Sequence, residues 1–99
     1  MKAEILSAAA HPIRVAILEC LRDGELCVCD IARRVGSGRS NVSRHLGVLL
    51  KAGLVDARKD GGRMFYSLKA RCVLRFLGCV TDVVRRQASK ASELLGSIK

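Results

Sequence analysis

The sequence predicts a mainly helical domain that carries one β-hairpin and works as a dimer. Three observations carry that prediction. Apolar residues recur at helical spacing along most of the chain, and an Asp-Gly-Gly turn separates two short strand-like segments. A long C-terminal helical pattern then shows an apolar face with no counterpart of equal length in the chain. With 99 residues, 49% hydrophobic but only 3% aromatic, the chain suits one domain with a core poor in large rings. Small domains are marginal, and self-association relieves that shortage.

A first helix is expected over residues 3–9. Pro12 suits the first turn of a second helix, where its missing N–H has no partner to lose. There Ile13, Ala16, Ile17, Cys20 and Leu21 recur at i, i+3, i+4, i+7 and i+8 as a buried stripe, and Asp23-Gly24 ends the helix. A third helix is expected over 27–34, with Val28, Ile31 and Val35 as apolar positions. Gly36-Ser37-Gly38 turns the chain into a fourth helix over 39–52, stopped by Gly53. Two amphipathic helices joined by a short Gly-containing turn form a helix-turn-helix, here residues 27–52. Strands over 54–59 and 63–68 flank Asp60-Gly61-Gly62 and give a basic hairpin, a wing over 54–68. The last helix, 71–95, shows Val73, Phe76, Leu77, Val80, Val84, Ala88, Ala91 and Leu95 on its apolar side. It is expected to pack with the first helix against a second copy, so that residues 1–99 form one winged helix-turn-helix domain ordered α1-α2-α3-α4-β-β-α5.

Charge points to the partner. Lys and Arg number 18 against 9 acidic residues, a formal charge of +9, which favours a polyanion. The basic residues are not confined to one amphipathic helix, which argues against a membrane surface. No apolar run approaches the ~20 residues of a membrane span. The segment before Pro12 carries Glu4 and does not resemble a secretion signal. Five cysteines without framework spacing then fit metal or redox chemistry in a reducing cytoplasm. An enzyme is not expected, since His11 and His45 have no acid–base constellation around them.

On the fourth helix Val42, Leu46, Leu49 and Leu50 share the core side, while Ser40, Arg44, Gly47 and Lys51 lie opposite. Asn41 flanks the outer face, and Ser43 and His45 sit at its borders. Short hydrogen-bonders near the N-terminus, followed by Arg and Lys, suit a helix entering the major groove of double-stranded DNA N-terminus first. The expected DNA contacts are therefore Arg39, Ser40, Asn41, Ser43, Arg44, His45 and Lys51, joined by Arg58, Lys59 and Arg63 of the wing.

Four segments carry a family likeness: Ala10-His11-Pro12-Ile13-Arg14, Glu25-Leu26-Cys27-Val28-Cys29-Asp30-Ile31, Val42-Ser43-Arg44-His45-Leu46 and Gly53-Leu54-Val55. Together they resemble the ArsR/SmtB family of metal-sensing repressors, closely over residues 10–68 and by pattern over the last helix. The resemblance implies a homodimer that blocks its own operon's promoter until an inducer binds. The Cys-Val-Cys segment is similar to the arsenic and cadmium/lead branch, which implies Cys27 and Cys29 as ligands of a thiophilic ion.

Two positions apart in a regular helix, Cys27 and Cys29 would diverge by ~200°, so chelation would distort that first turn and, through it, the reading helix. Soft thiolates select arsenic, antimony, cadmium, lead or zinc over hard cations. Ala32 stands where the arsenic-sensing pattern can place a third cysteine, no cysteine precedes Cys20, and Asp82 lacks a histidine after it. Trivalent arsenic or antimony is therefore the expected effector, ahead of Cd(II), Pb(II) or Zn(II), with no cofactor required. Cys20 reads as core. Cys72 and Cys79 are separated by ~10.5 Å of helical rise, beyond the ~7 Å Cα limit of a disulfide, but could meet cysteines of a partner. Two alternatives stay open: a redox- or persulfide-responsive repressor using Cys20 with Cys72 or Cys79, and a DNA-binding protein with no inducer.

Overall fold

Two short helices open the chain, α1 over Lys2–Ala9 and α2 over Pro12–Cys20. A two-residue strand, β1 at Leu26–Cys27, runs directly into α3 at Val28–Val35. Next come α4 at Arg39–Lys51, the hairpin β2 at Val55–Asp60 with β3 at Arg63–Leu68, and α5 at Cys72–Ser97. This computed structural model describes residues 2–97, with side chains as far as Lys90. Ala91 and Leu95, read as apolar positions of the last helix, lie outside the described side chains.

Local chemistry sets each boundary. His11 caps α2 from an extended conformation, its Nδ1 accepting the Ile13 amide at 3.1 Å, and Pro12 occupies the first turn. Gly36 closes α3 at φ 71°, a left-handed position that glycine takes without strain, and its amide returns to the Ala32 carbonyl at 3.0 Å. At the hairpin tip Gly61 and Gly62 have φ 56° and 82°. Two consecutive positive values define the primed turn that matches the twist of paired strands. Register follows from it, with Asp60 opposite Arg63 and Val55 opposite Leu68.

The core lies between α2, α3, α4 and the base of the hairpin. Ile17, Leu18, Leu21, Ile31, Val42, Leu46 and Leu49 are fully buried there, with Val55 and Leu54 below them. Leu18 falls outside the predicted stripe of α2. It is buried because α2 is enclosed, packing against α1, α3, α4 and α5 rather than presenting one face to a neighbour. Leu50, expected in the core of α4, is instead 42% exposed, since Leu46 and Leu49 already fill the contact.

Two departures matter for the site. The sheet has three strands in the order β1-β3-β2, because Leu26 and Cys27 pair with Tyr66 and Phe65. Cys27 therefore sits in extended backbone (φ −81°, ψ 163°) ahead of α3, not inside a helix from 27 to 34. At the other end, α5 touches the body only through its start: Val73 is buried, Leu74 and Leu77 are half-buried, and every described residue from Gly78 onward is exposed. Phe76, Val80, Val83 and Val84, together with Ile5 and Leu6 of α1, are large apolar side chains left uncovered.

Candidate nucleic-acid interface

The outer side of α4 is built by its own periodicity. With Val42, Leu46 and Leu49 turned inward, Arg39, Ser40, Ser43, Arg44 and Lys51 are all exposed. Gly38 at the N-cap supplies no side-chain cap, so the amides of the first turn are open to a ligand. Asn41 has a positioning role: its Nδ2 donates to Ser37 Oγ at 2.8 Å, and its Oδ1 accepts from Arg44 at 2.6 Å. The turn before the helix is thereby tied to the cation one turn into it.

His45 requires a correction. Helical spacing puts it at the border of the outer face as a DNA contact, but it is 5% exposed and belongs to the inner side. Its Nδ1 accepts from Arg14 Nε at 3.1 Å, and its ring centroid stands 4.4 Å from that of His11. Burial, followed by the neighbouring His11, Arg14 and Arg44, holds its pKa below the ordinary imidazole value. A neutral, buried imidazole that locks α4 to α2 cannot also reach a base edge.

The wing also divides its cations. Arg58 donates from Nε and Nη2 to both oxygens of Glu25, at 2.8 and 2.7 Å, and from Nη1 to Asp60 at 3.2 Å. Its guanidinium lies 5.2 Å from the Phe65 ring centroid. These partners raise the Arg58 pKa, and the hydrogen bonds from Arg58 lower that of Glu25. Arg58 is thus a strut between the hairpin and the segment before β1, rather than the free tip cation that the sequence suggests. Lys59 and Arg63 remain exposed, and no ion pair engages them among the described residues.

The cysteines fall into distinct environments. Cys27 is buried, with its Sγ donating to Asp30 Oδ2 at 3.3 Å, while Cys29 is exposed in the first turn of α3. Both line a groove of about 640 Å³, together with Arg39, Ser40 and Ser43 of α4 and Arg63 of the wing. Because Cys27 lies in β1, the ~200° divergence of a regular helix does not describe the pair, and a Cys27 thiolate held by an ion could no longer donate to Asp30. Among the described residues there is no cluster of three or more side chains able to hold a metal. Cys20 is half-buried and bonded to the Ile17 carbonyl at 3.1 Å, and burial pushes its thiol pKa up. Cys72 and Cys79 are exposed on α5.

Sequence reasoning missed the His11–Arg14–His45 cluster, the Glu25–Arg58 strut and β1. The first two join residues 31 and 33 positions apart, and no local periodicity reports such pairs. Leu26-Cys27 is too short to register as a strand by alternation.

Comparison with known proteins places this geometry. The family described as "Bacterial regulatory protein, arsR family" matches residues 11–57, the segment from the α2 cap into the wing. The HTH-type transcriptional regulator Rv0081 of Mycobacterium tuberculosis is 37% identical over all of this chain and 88% of its own length. The chain belongs to the arsR family. The crystal structure of Rv0081 aligns with a TM-score of 0.78 at 40% identity, covering 90% of each chain. The biofilm growth-associated repressor of Xylella fastidiosa is 33% identical, over 90% of this chain and 78% of the relative. A solution structure of the homodimeric winged helix-turn-helix DNA-binding domain of Mb0332 from Mycobacterium bovis aligns with a TM-score of 0.75 at 32% identity, covering 89% of this chain and 82% of that one. As an arsR-family member this chain is a DNA-binding transcriptional regulator, and its fold is the winged helix-turn-helix. No described helix is long and apolar enough to cross a membrane.

Proposed function

We propose that the chain represses transcription as a homodimer on double-stranded operator DNA and is released when a thiophilic ion, best trivalent arsenic or antimony, binds Cys27 and Cys29. The observation that carries this reading is the shared groove: both cysteines line the same 640 Å³ space as Arg39, Ser40, Ser43 and Arg63. An ion drawn to the sulfurs acts where the reading helix and the wing meet.

The homodimer follows from the uncovered apolar residues of α1 and α5. Fully burying side chains of this size contributes about 1.5–3 kcal/mol each; these are 41–59% exposed, so roughly half of that is left to be gained on association. In the dimer two α4 helices meet successive major grooves, while Lys59 and Arg63 reach phosphates. Release requires the ion to prefer the low-affinity conformation, and a typical coupling of about 1–3 kcal/mol gives a change of roughly 5- to 150-fold. A redox bridge from Cys20 is less favoured, since its thiol is half-buried and its pKa raised.

The test is a binding titration of the reduced protein against DNA upstream of its own gene, with arsenite, antimonite, cadmium and zinc added in turn. Arsenite or antimonite should release the DNA, and Cys27→Ser or Cys29→Ser should abolish release without abolishing binding. Release by an oxidant or persulfide alone would instead assign the switch to other cysteines.

A further inference from the structure

The groove between α3, α4 and the wing puts an exposed cysteine beside two arginines and two serines. Arg39, Arg63, Ser40 and Ser43 line it, and the first turn of α4 beside them has no side-chain cap. Cys29 lines the same space and is exposed, whereas Cys27 is buried with its Sγ donated to Asp30. At about 640 Å³, the groove lies within the ~300–1,000 Å³ range of small-molecule sites. On the DNA reading above, a group attached to Cys29 shares the groove with the arginines and serines expected to meet phosphate.

We propose that Cys29 is a modification site for anionic low-molecular-weight disulfides, whose adduct excludes DNA by cancelling the positive charge of the groove while α3 stays folded. This rests on the DNA reading above but not on the metalloid reading. The Cys29 thiol gives its proton to solvent, and the thiolate attacks one sulfur of R–S–S–R. The Cys29–S–S–R bond forms, the original S–S bond breaks, and RS⁻ leaves with the electron pair. Cys29 is oxidised and the small disulfide is reduced by the same two electrons. The two arginines draw the anionic reagent in, and for the same reason its negative charge afterwards competes with phosphate.

The experiment uses the full chain carrying Cys72→Ser and Cys79→Ser, which removes the exposed thiols of α5. It is treated separately with methanethiosulfonates that attach a methyl, a sulfonatoethyl or a trimethylammonioethyl group, and with oxidised glutathione. Single addition at Cys29 is confirmed by mass, promoter binding is read by fluorescence anisotropy across a salt series, and helicity is followed by circular dichroism. The sulfonatoethyl and glutathione adducts should weaken binding by about tenfold or more, as expected when a charge-assisted hydrogen bond to phosphate is removed. The salt slope should fall by ~0.9 for each phosphate that the protein no longer neutralises. The methyl and trimethylammonioethyl adducts should stay within about threefold of the unmodified protein, roughly half a decade of affinity. Cys29→Asp should reproduce the loss and Cys29→Ser should not, with helicity unchanged in both.

Equal loss with all adducts would overturn the proposal, in favour of a distorted α3 if helicity is lost and of simple steric blocking if it is kept. So would indifference to every adduct, or equal affinities for Cys29→Asp and Cys29→Ser. If arsenite releases the DNA while adduct charge has no effect, this inference falls and the metalloid reading stands. If the unmodified protein does not bind the promoter, the DNA reading falls and takes this inference with it.

Discussion

The body formed by α2, α3, α4 and the hairpin buries its core, whereas α1 and α5 each leave an apolar side open. In the body, Ile17, Leu18, Leu21, Val42 and Leu46 have no exposed surface. On α5, Val84 is 59% exposed and Phe76 50%. Both regions obey the same helical periodicity, so the difference lies in what surrounds them. Four elements enclose α2, while α5, among its described residues, meets the body at its first turns. Hydrophobic pattern alone therefore does not distinguish a side chain that stabilises the fold from one that holds a partner.

The largest effect should come from the body. Leu46→Ala opens a cavity where there is no exposed surface to relax into, and such changes cost about 2–5 kcal/mol. Chemical denaturation should show that loss at every protein concentration. A loss that disappears as the protein is concentrated would mean that the body, too, depends on its partner.

The next effect should come from α5. Val80 and Val84 lie one helical turn apart and are both exposed. The double substitution Val80→Glu and Val84→Glu should leave the helical content of the body intact but shift sedimentation from dimer to monomer. Unfolding of the parent should depend on concentration, and that dependence should vanish in the variant. Promoter affinity should fall by orders of magnitude, because two half-sites are no longer engaged together. A dimer surviving both charges would move the partner surface elsewhere.

The same contrast explains what is legible in the sequence. Helix order, the hairpin and its Asp-Gly-Gly tip follow from local patterns, because each depends on neighbours within a few residues. The outer residues of α4 are readable for that reason, and so is the open side of α5. His45 is not, because a residue at the edge of a helical stripe is decided by what packs there, and its partners, His11 and Arg14, lie far back in the chain. Arg58 reads as a free cation because Glu25, its partner, is 33 residues away. The closeness of Cys29 to Arg39 and Arg63 depends on how α3, α4 and the wing meet, which no spacing encodes.

The smallest effect should appear where the two regions join. Arg14 donates to His45 on α4 at 3.1 Å and to the Ala8 carbonyl of α1 at 3.2 Å, so one guanidinium ties the reading helix to α1. His45 is held below its ordinary pKa, chiefly by burial and then by His11, Arg14 and Arg44. The unfolded chain therefore binds this proton more readily than the folded one, and the linkage sign is fixed. The stabilisation from neutral His45 is fully present above the unfolded value of about 6.5 and is lost as pH falls from there through the depressed folded value. Protonation also ends the ability of Nδ1 to accept from Arg14. The melting temperature should fall between pH 7.5 and pH 5, and His45→Gln, which keeps an acceptor but does not titrate, should flatten that part of the profile. An unchanged slope in His45→Gln would assign the acid sensitivity to other groups and reduce the Arg14 bridge to packing. If the slope flattens but the Leu46 and Val80/Val84 effects stay additive, the junction titrates without coupling the two regions.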